Sequence, residues 1–541
     1  MVKVAVPDDA PDGAPAPAAT STDGLRRELN LFGAVSMIVG IVIGSGIFLG
    51  VNRVADGTGS PWLIVLVWLV GGALTLMGAL TYAELGVLFP KAGGEYVFLR
   101  EGLGSLLAFL SGWTAFTINL AGSAAALAVI FAEQLNRLKP DGFLARAWVD
   151  WDPGQGGGFH IAVGGVQVTA AAVILLLSIL NYFGLKMGGD VQKGLTVVKG
   201  SLMVLLAGAA LLYLGDPKTP DVGFFEQAHI EGTRAADGFS LGGFLGLSMV
   251  AALFAYDGWT NVVRVGSELR DPHRNLPKAM LLGLGAVMLL YTLLSLGYLN
   301  VLGFEGFATS QKTVATDAAH VLFGGGGADF VACIILLSVL GSLNGITISG
   351  PRIYYAMSRD RLFPRVFGTT NRHHVPGRAI WAQAVLAIVF VLLFDFNELT
   401  DNVVFISFMF YALAAVGLLV LRRTHPELPR PYKVPFYPVV PILFIVASAT
   451  FVGYLVYQQV THFSGSNYNR IAAFAIVLAG IPVYLFYRMR LVREAKERGL
   501  PAPEPMFGPH SSLTLRSVLL VLLVVAVIPL AALVMFLFGF P

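Results

Sequence analysis

The chain has 541 residues, of which 56% are apolar and only 13% charged, and its mean hydropathy is +0.72. A soluble domain carries about 25% charge, so roughly half the charge needed to wet a surface is missing and the bilayer is the expected solvent. The net charge of +3 comes with no basic tract suited to nucleic acid, and the single cysteine, Cys333, excludes an internal disulfide and any multi-cysteine metal site.

Residues 1–23 are rich in Pro, Ala, Asp and Thr, lack an apolar h-region, and read as a disordered cytoplasmic tail rather than a signal peptide. A membrane-crossing helix needs about 20 apolar residues. Qualifying runs lie near 31–50, 62–88, 103–131, 161–183, 190–214, 240–263, 279–302, 328–350, 379–395, 402–421, 438–458, 471–487 and 517–538. This predicts an all-α polytopic membrane protein of twelve core spans, with a further C-terminal helix after a charged, Pro-rich linker. The expected units are 24–215 (spans 1–5), 216–423 (spans 6–10), 424–490 (spans 11–12) and 491–541 (linker and extra helix).

With the amino terminus placed inside, twenty-seven lysines and arginines fall on the inner side and eight on the outer, and Lys199 is left within a span. A miscounted span would scramble that alternation, so the bias supports both the count and a cytoplasmic amino terminus.

Two spans are interrupted. Span 1 carries Gly40, Gly44, Ser45 and Gly46 at mid-depth, and span 6 carries FAYDGW from Phe254 to Trp259. Small residues also serve close helix packing, as a GxxxG pair such as Gly40 and Gly44 does. The two interruptions, however, are five spans apart, and paired Gly-interrupted segments in corresponding halves point to a transporter binding site. Unwound backbone at that depth is tolerated only where it is buried in protein or lines a cavity. A half-helix beginning near Ser45 presents free N–H groups, which suits a carboxylate. Carbonyls released around Ile41 to Ile43 and at Phe254, Ala255 and Asp257 suit an ammonium. An α-amino acid satisfies both.

Lys199, in LTVVKGSLMVLL, sits too deep to snorkel, and intramembrane charges are costly and functional. It reads either as a carrier of a transported proton or as a fixed cationic strut. Asp257 either faces the pocket or bonds the scaffold. Glu84 reads as a hydrogen-bond partner rather than a ligand contact, and Asn119 as interhelical glue; Ser342 and Asn344 in span 8 are candidates for the pocket wall.

The stretches IVIGSGIF (41–48), KAGGEYVFLREGLG (91–104), FAYDGWTNV (254–262), SELRDPHRNLPKA (267–279) and THPELPRPYKVPFYPVVP (424–441) resemble the amino acid–polyamine–organocation superfamily, and within it the L-type amino acid transporter family. Many relatives have two consecutive acidic residues where this chain has Ser267 and Glu268, and the extra last helix is outside the twelve-span pattern. The resemblance implies a leucine-transporter fold, with spans 1–5 and 6–10 as an inverted repeat, and alternating access. It further implies that the substrate carboxylate rests on the N–H groups of Gly44, Ser45 and Gly46. The ammonium would rest on carbonyls at Ile41, Ile43, Phe254, Ala255 and Asp257. By the same resemblance Phe254 is a gate, Tyr291 a pocket residue, and Lys199, with Ser342 nearby, takes the place of a sodium ion.

A secondary active transporter of L-amino acids follows, small neutral or medium aliphatic because Phe254 and Tyr291 would crowd the pocket, working by exchange or proton symport. A cationic amino acid or polyamine antiporter is the alternative. The expected setting is a prokaryotic plasma membrane. Animal members join a heavy chain through a cysteine after span 3, and residues 132–160 contain none, so no disulfide-linked heavy chain is expected. A channel is disfavoured by the paired helix breaks and the lack of a pore-like ring motif. No Walker A loop or HExxH occurs. A GxSxG at Gly238 to Gly242 follows a polar loop, and Ser240 reads as a helix cap there, so neither an enzyme, a cofactor nor a metal is expected.

Overall fold

The computed structural model describes residues 24–138, 142–151, 161–217, 223–226, 244, 248–310, 313–393, 396–461 and 469–499. The tail 1–23, the GxSxG segment and the extra helix 517–538 lie outside them.

The described chain is helical apart from one hairpin. Helix α1 (Leu31–Val42) starts at Asn30, whose side chain accepts the Gly33 N–H at 2.9 Å, an N-cap that fixes where the helix begins. After the break come α2 (Gly46–Leu49), α3 (Val51–Thr58) and α4 (Pro61–Leu88). Span 3 is segmented: α5 (Glu95–Leu103) ends at Gly104, α6 (Ser105–Thr114) passes through a π-turn at Ala115–Asn119, and α7 (Leu120–Leu138) completes it. Helices α8 (Gly165–Tyr182) and α9 (Leu185–Leu211) follow, then α10 (Met249–Tyr256), α11 (Asn261–Arg264) and α12 (Pro272–Ala308). The remainder is α13 (Val314–Phe323), α14 (Gly327–Ser349), α15 (Pro351–Arg359), α16 (Gly377–Leu393), α17 (Phe396–Thr424), α18 (Val439–Thr461) and α19 (Asn469–Glu497).

Several helices run longer than the apolar windows, as α12, α17 and α19 do, and three further differences stand out. Residues Ile161–Gly164, read as the start of span 4, form strand β2 paired antiparallel with β1 (Ala147–Trp151); the apolar alternation there is a strand period. Helix α9 begins five residues earlier than the apolar run because Lys186, Asp190 and Lys193 stay helical, with Lys193 paired to Asp190 at 2.7 Å. The short α13 between spans 7 and 8 was not anticipated.

The burial pattern is inverted relative to a soluble domain. Leu176, Val204, Leu289 and Val385 stand exposed on outward faces, whereas Glu84, Gln192, Lys199 and Asn344 are fully buried. That is the distribution expected when lipid, not water, wets the surface. At the centre, α1 packs on α9, α12 and α14, and α10 packs on α4.

The two interrupted spans cross through their breaks. Gly258 has φ +106, open only to glycine at low cost, and a Cβ there would come within 2.7 Å of the Ile41 Cγ2. A Cβ on Gly46 would stand 2.8 Å from the Ala255 Cα. The sequence places glycine where the two backbones touch.

Candidate functional site

A cavity of about 100 Å³ is centred on this crossing. Ser45 and Gly46 from the first break, Phe254 and Asp257 from the second, Ser342 from α14, and Asn119 and Tyr411 are among the residues lining it. The N–H groups of Ser45 and Gly46 have no acceptor among the described residues, so the start of α2 meets the cavity with unfilled donors. Such a terminus attracts a negative oxygen.

The carbonyls opposite are partly engaged. Ile41 accepts from the Ser342 hydroxyl at 2.8 Å. Phe254 accepts the Asp257 N–H at 3.1 Å, and Ala255 accepts from Tyr291 at 3.2 Å. Each keeps one lone pair, since a carbonyl oxygen has two.

Lys199 reaches from α9 past Gly341 of α14 to the far side of the first break. Its Nζ donates to Gly40 O at 2.7 Å, Ile43 O at 2.6 Å and Ser338 O at 3.4 Å. Three acceptors and no carboxylate surround it among the described residues. An ammonium has three N–H groups, one for each of these acceptors.

At the opposite end of the cavity a guanidinium is held in the wall. Arg264 is 3% exposed; its Nε and Nη2 donate to Glu95 Oε1 at 3.0 and 2.5 Å, and its Nη1 donates to Asn261 Oδ1 at 2.7 Å. A chain of hydroxyls connects it to the second break: Tyr411 donates to Asp257 Oδ1 at 3.0 Å and lies 3.1 Å from Thr260 Oγ1. Further ion pairs tie the same end together, with Arg352 on Glu268 at 2.8 Å and Arg422 on Glu84 at 2.5 Å.

The amino acid permease family profile matches residues 29–482. The chain belongs to the amino acid permease family. Across 474 residues, 87% of this chain and 99% of the relative, it is 31% identical to the serine/threonine exchanger SteT of Bacillus subtilis. It is 30% identical over 469 residues to the human b(0,+)-type amino acid transporter 1, covering 86% of this chain and 89% of that one. With the rat large neutral amino acids transporter small subunit 2 the figure is 29% over 489 residues, 88% of this chain and 84% of the relative. This permease is thus an amino acid transporter and a multi-pass membrane protein, and the cationic or polyamine alternative is not favoured.

The fold brings Ile41, Gly44, Ser45, Gly46, Phe254, Ala255, Asp257 and Ser342 to the cavity. Four expectations need geometric correction. Ile43 is not in the wall; its carbonyl is turned to Lys199. Tyr291 is fully buried behind the crossing, its hydroxyl on the carbonyls of Val42 and Ala255, where it ties the broken spans together rather than lining the cavity. The Gly44 N–H, expected to be free, donates to the Val42 carbonyl at 2.8 Å because the chain turns sharply there.

Asn344 also lies outside the wall, its amide on Gly188 and Gln192. Asp257 is among the residues lining the cavity, and its carboxylate bonds the scaffold by accepting from Tyr411. Asn119 bonds Ser407 at 2.7 Å and lines the cavity too. Glu84 is a structural acceptor, taking Arg422 and the Val434 N–H at 2.7 Å.

Sequence reasoning missed Arg264 and Glu95, which are 169 residues apart. Their signal was present: Glu95 lies inside KAGGEYVFLREGLG, and Arg264 comes two residues after the end of FAYDGWTNV. Glu95→Gln is expected to destabilise the permease by about 3–5 kcal/mol, because it leaves a buried guanidinium without its counter-ion. A thermal unfolding series in detergent, with the swap Glu95→Arg/Arg264→Glu as rescue, checks it; an unshifted midpoint would mean the pair contributes nothing.

Proposed function

We propose that this permease exchanges small neutral L-amino acids across a prokaryotic plasma membrane by alternating access, as a stand-alone transporter without enzymatic activity. The substrate carboxylate sits on the N–H groups of Ser45 and Gly46, and the ammonium takes the remaining lone pairs of the Ile41, Phe254 and Ala255 carbonyls. Phe254 closes over the bound molecule. The units 24–215 and 216–423 act as the two halves of an inverted repeat, with the amino terminus cytoplasmic.

The observation that carries exchange over proton symport is the cage around Lys199. Three carbonyl acceptors hold an ammonium that bridges α9, the first break and α14. A fixed cation in that place stabilises the broken span in every state of the cycle, whereas a proton carrier must give its proton up. That SteT is named a serine/threonine exchanger supports the same reading and favours small polar side chains. The side chains of Phe254, Asn119 and Tyr411 border the crossing and limit what fits beside it. Cys333 lies in α14, within the span and away from the segment after α7, which supports the absence of a disulfide-linked heavy chain.

Uptake of labelled amino acids into proteoliposomes tests the proposal. Uptake is expected only when amino acid is enclosed, with serine, threonine and alanine as the best substrates. Accumulation in empty vesicles driven by an inward proton gradient would replace exchange by symport.

A further inference from the structure

Outside the transport site, a second concavity of about 320 Å³ lies between the segment joining α15 to α16 and the last turns of α19. Its polar wall is Arg361, Arg365, Arg490 and Glu494, and Phe363 and Tyr487 form part of its apolar floor. Arg365 donates to both Glu494 oxygens at 2.8 and 2.9 Å, and Arg361 stands 3.7 Å from the same carboxylate. One carboxylate thus faces two guanidinium groups, with a third, Arg490, in the same wall, so among the described residues the pocket lining carries two more positive charges than negative ones. Arg490 lies over the face of Phe486, 5.9 Å from the ring centroid, and has no ion-pair partner among the described residues.

The depth of this pocket follows from the length of α19. The helix has 29 residues, and at about 1.5 Å per residue it spans roughly 43 Å, against a hydrocarbon core of about 30 Å. Between Arg470 and Arg488 it carries no charged residue. From Arg488 onward Arg490, Arg493, Glu494, Lys496 and Glu497 crowd its end. The hydrocarbon boundary therefore falls near Tyr487, and the pocket sits at the level of lipid phosphates. On the same helix Leu485, Phe486, Met489 and Val492 are exposed, so the faces of α19 turned away from the pocket meet acyl chains up to the level at which the pocket sits.

We propose that the Arg361–Arg365–Arg490 pocket is a binding site for the phosphate headgroup of an anionic phospholipid, with Glu494 as a built-in competitor that holds the arginines in place when the site is empty. Guanidinium groups match a phosphodiester with two parallel N–H···O bonds, and interfacial arginines are the usual recognition element for such headgroups. Lipid rather than soluble phosphate is the occupant because the pocket opens at the depth where α19 leaves the hydrocarbon, the level of the lipid phosphates. A bound headgroup would clamp the α15–α16 segment to α19.

Native mass spectrometry of the full-length protein, titrated with phosphatidylglycerol or phosphatidylcholine of the same acyl chains, tests this. Phosphatidylglycerol is expected to be retained roughly tenfold better. Arg365→Gln/Arg490→Gln should bring the ratio to about one, while Arg378→Gln, an exposed arginine elsewhere, leaves it unchanged. Glu494→Gln should raise the preference, a gain that misfolding cannot mimic. Equal retention of both lipids by the wild type, or an undiminished preference in the double variant, overturns the proposal. Inorganic phosphate that displaces the lipid and is itself retained would make a soluble phosphate the ligand and overturn the lipid assignment.

Discussion

Lys199→Ala is expected to cut amino acid exchange at least about 100-fold while the protein still inserts and purifies as a folded species. The substitution removes both short bonds from Nζ to Gly40 O and Ile43 O. Hydrogen bonds from a charged donor contribute about 1.5–3 kcal/mol each, and every 1.4 kcal/mol is about a factor of ten in rate. Two such bonds therefore exceed a hundredfold. The loss falls on exchange because the two carbonyls belong to the first break, whose shape sets the direction of the Ser45 and Gly46 N–H groups. Counterflow of labelled serine in proteoliposomes, normalised to protein that elutes as a single species, measures it. Full exchange by the variant would remove Lys199 from the mechanism.

Ser45→Pro is expected to abolish substrate binding, with Ser45→Ala retaining most of it. Ser45 has φ −83 and ψ −20, close to the value that a proline ring imposes. Proline is also well accepted at the start of a helix, and the preceding residue is a glycine, which tolerates the added constraint. The alanine variant removes the hydroxyl alone; the proline variant also removes the N–H. The difference between the two isolates one backbone donor, for which a charge-assisted bond of about 1.5–3 kcal/mol predicts at least a tenfold loss in affinity. Ligand-dependent thermal stabilisation by serine reads it directly. Equal stabilisation of the two variants would move the carboxylate elsewhere.

Both tests rest on features legible in the sequence. Glycine and serine at mid-span in IVIGSGIF and an acid beside glycine in FAYDGW have few uses in a bilayer other than a broken helix, and Lys199 is conspicuous because a buried charge is costly there. What hydropathy does not carry is direction. Whether a carbonyl at position 43 turns to the cavity or to Lys199 depends on one dihedral step, and Tyr291 is as apolar in the window facing the crossing as facing the cavity. The Arg264–Glu95 pair was hidden for another reason. Charges at span ends read as solvated loops, and only the chain's return over 169 residues brings these two together. The hairpin was lost because the window that finds membrane helices averages over a four-residue strand.

The Tyr291 hydroxyl stands between the carbonyl of Val42 at 3.0 Å and that of Ala255 at 3.2 Å. It has a single proton for two acceptors, one on each broken span. In the proposed alternating-access cycle, that proton could swing wholly to either side as the spans slide, so the linkage would change hands instead of rupturing. A buried joint of this kind works as a lubricated bearing: the parts stay attached throughout the stroke, and little resistance is met along the way.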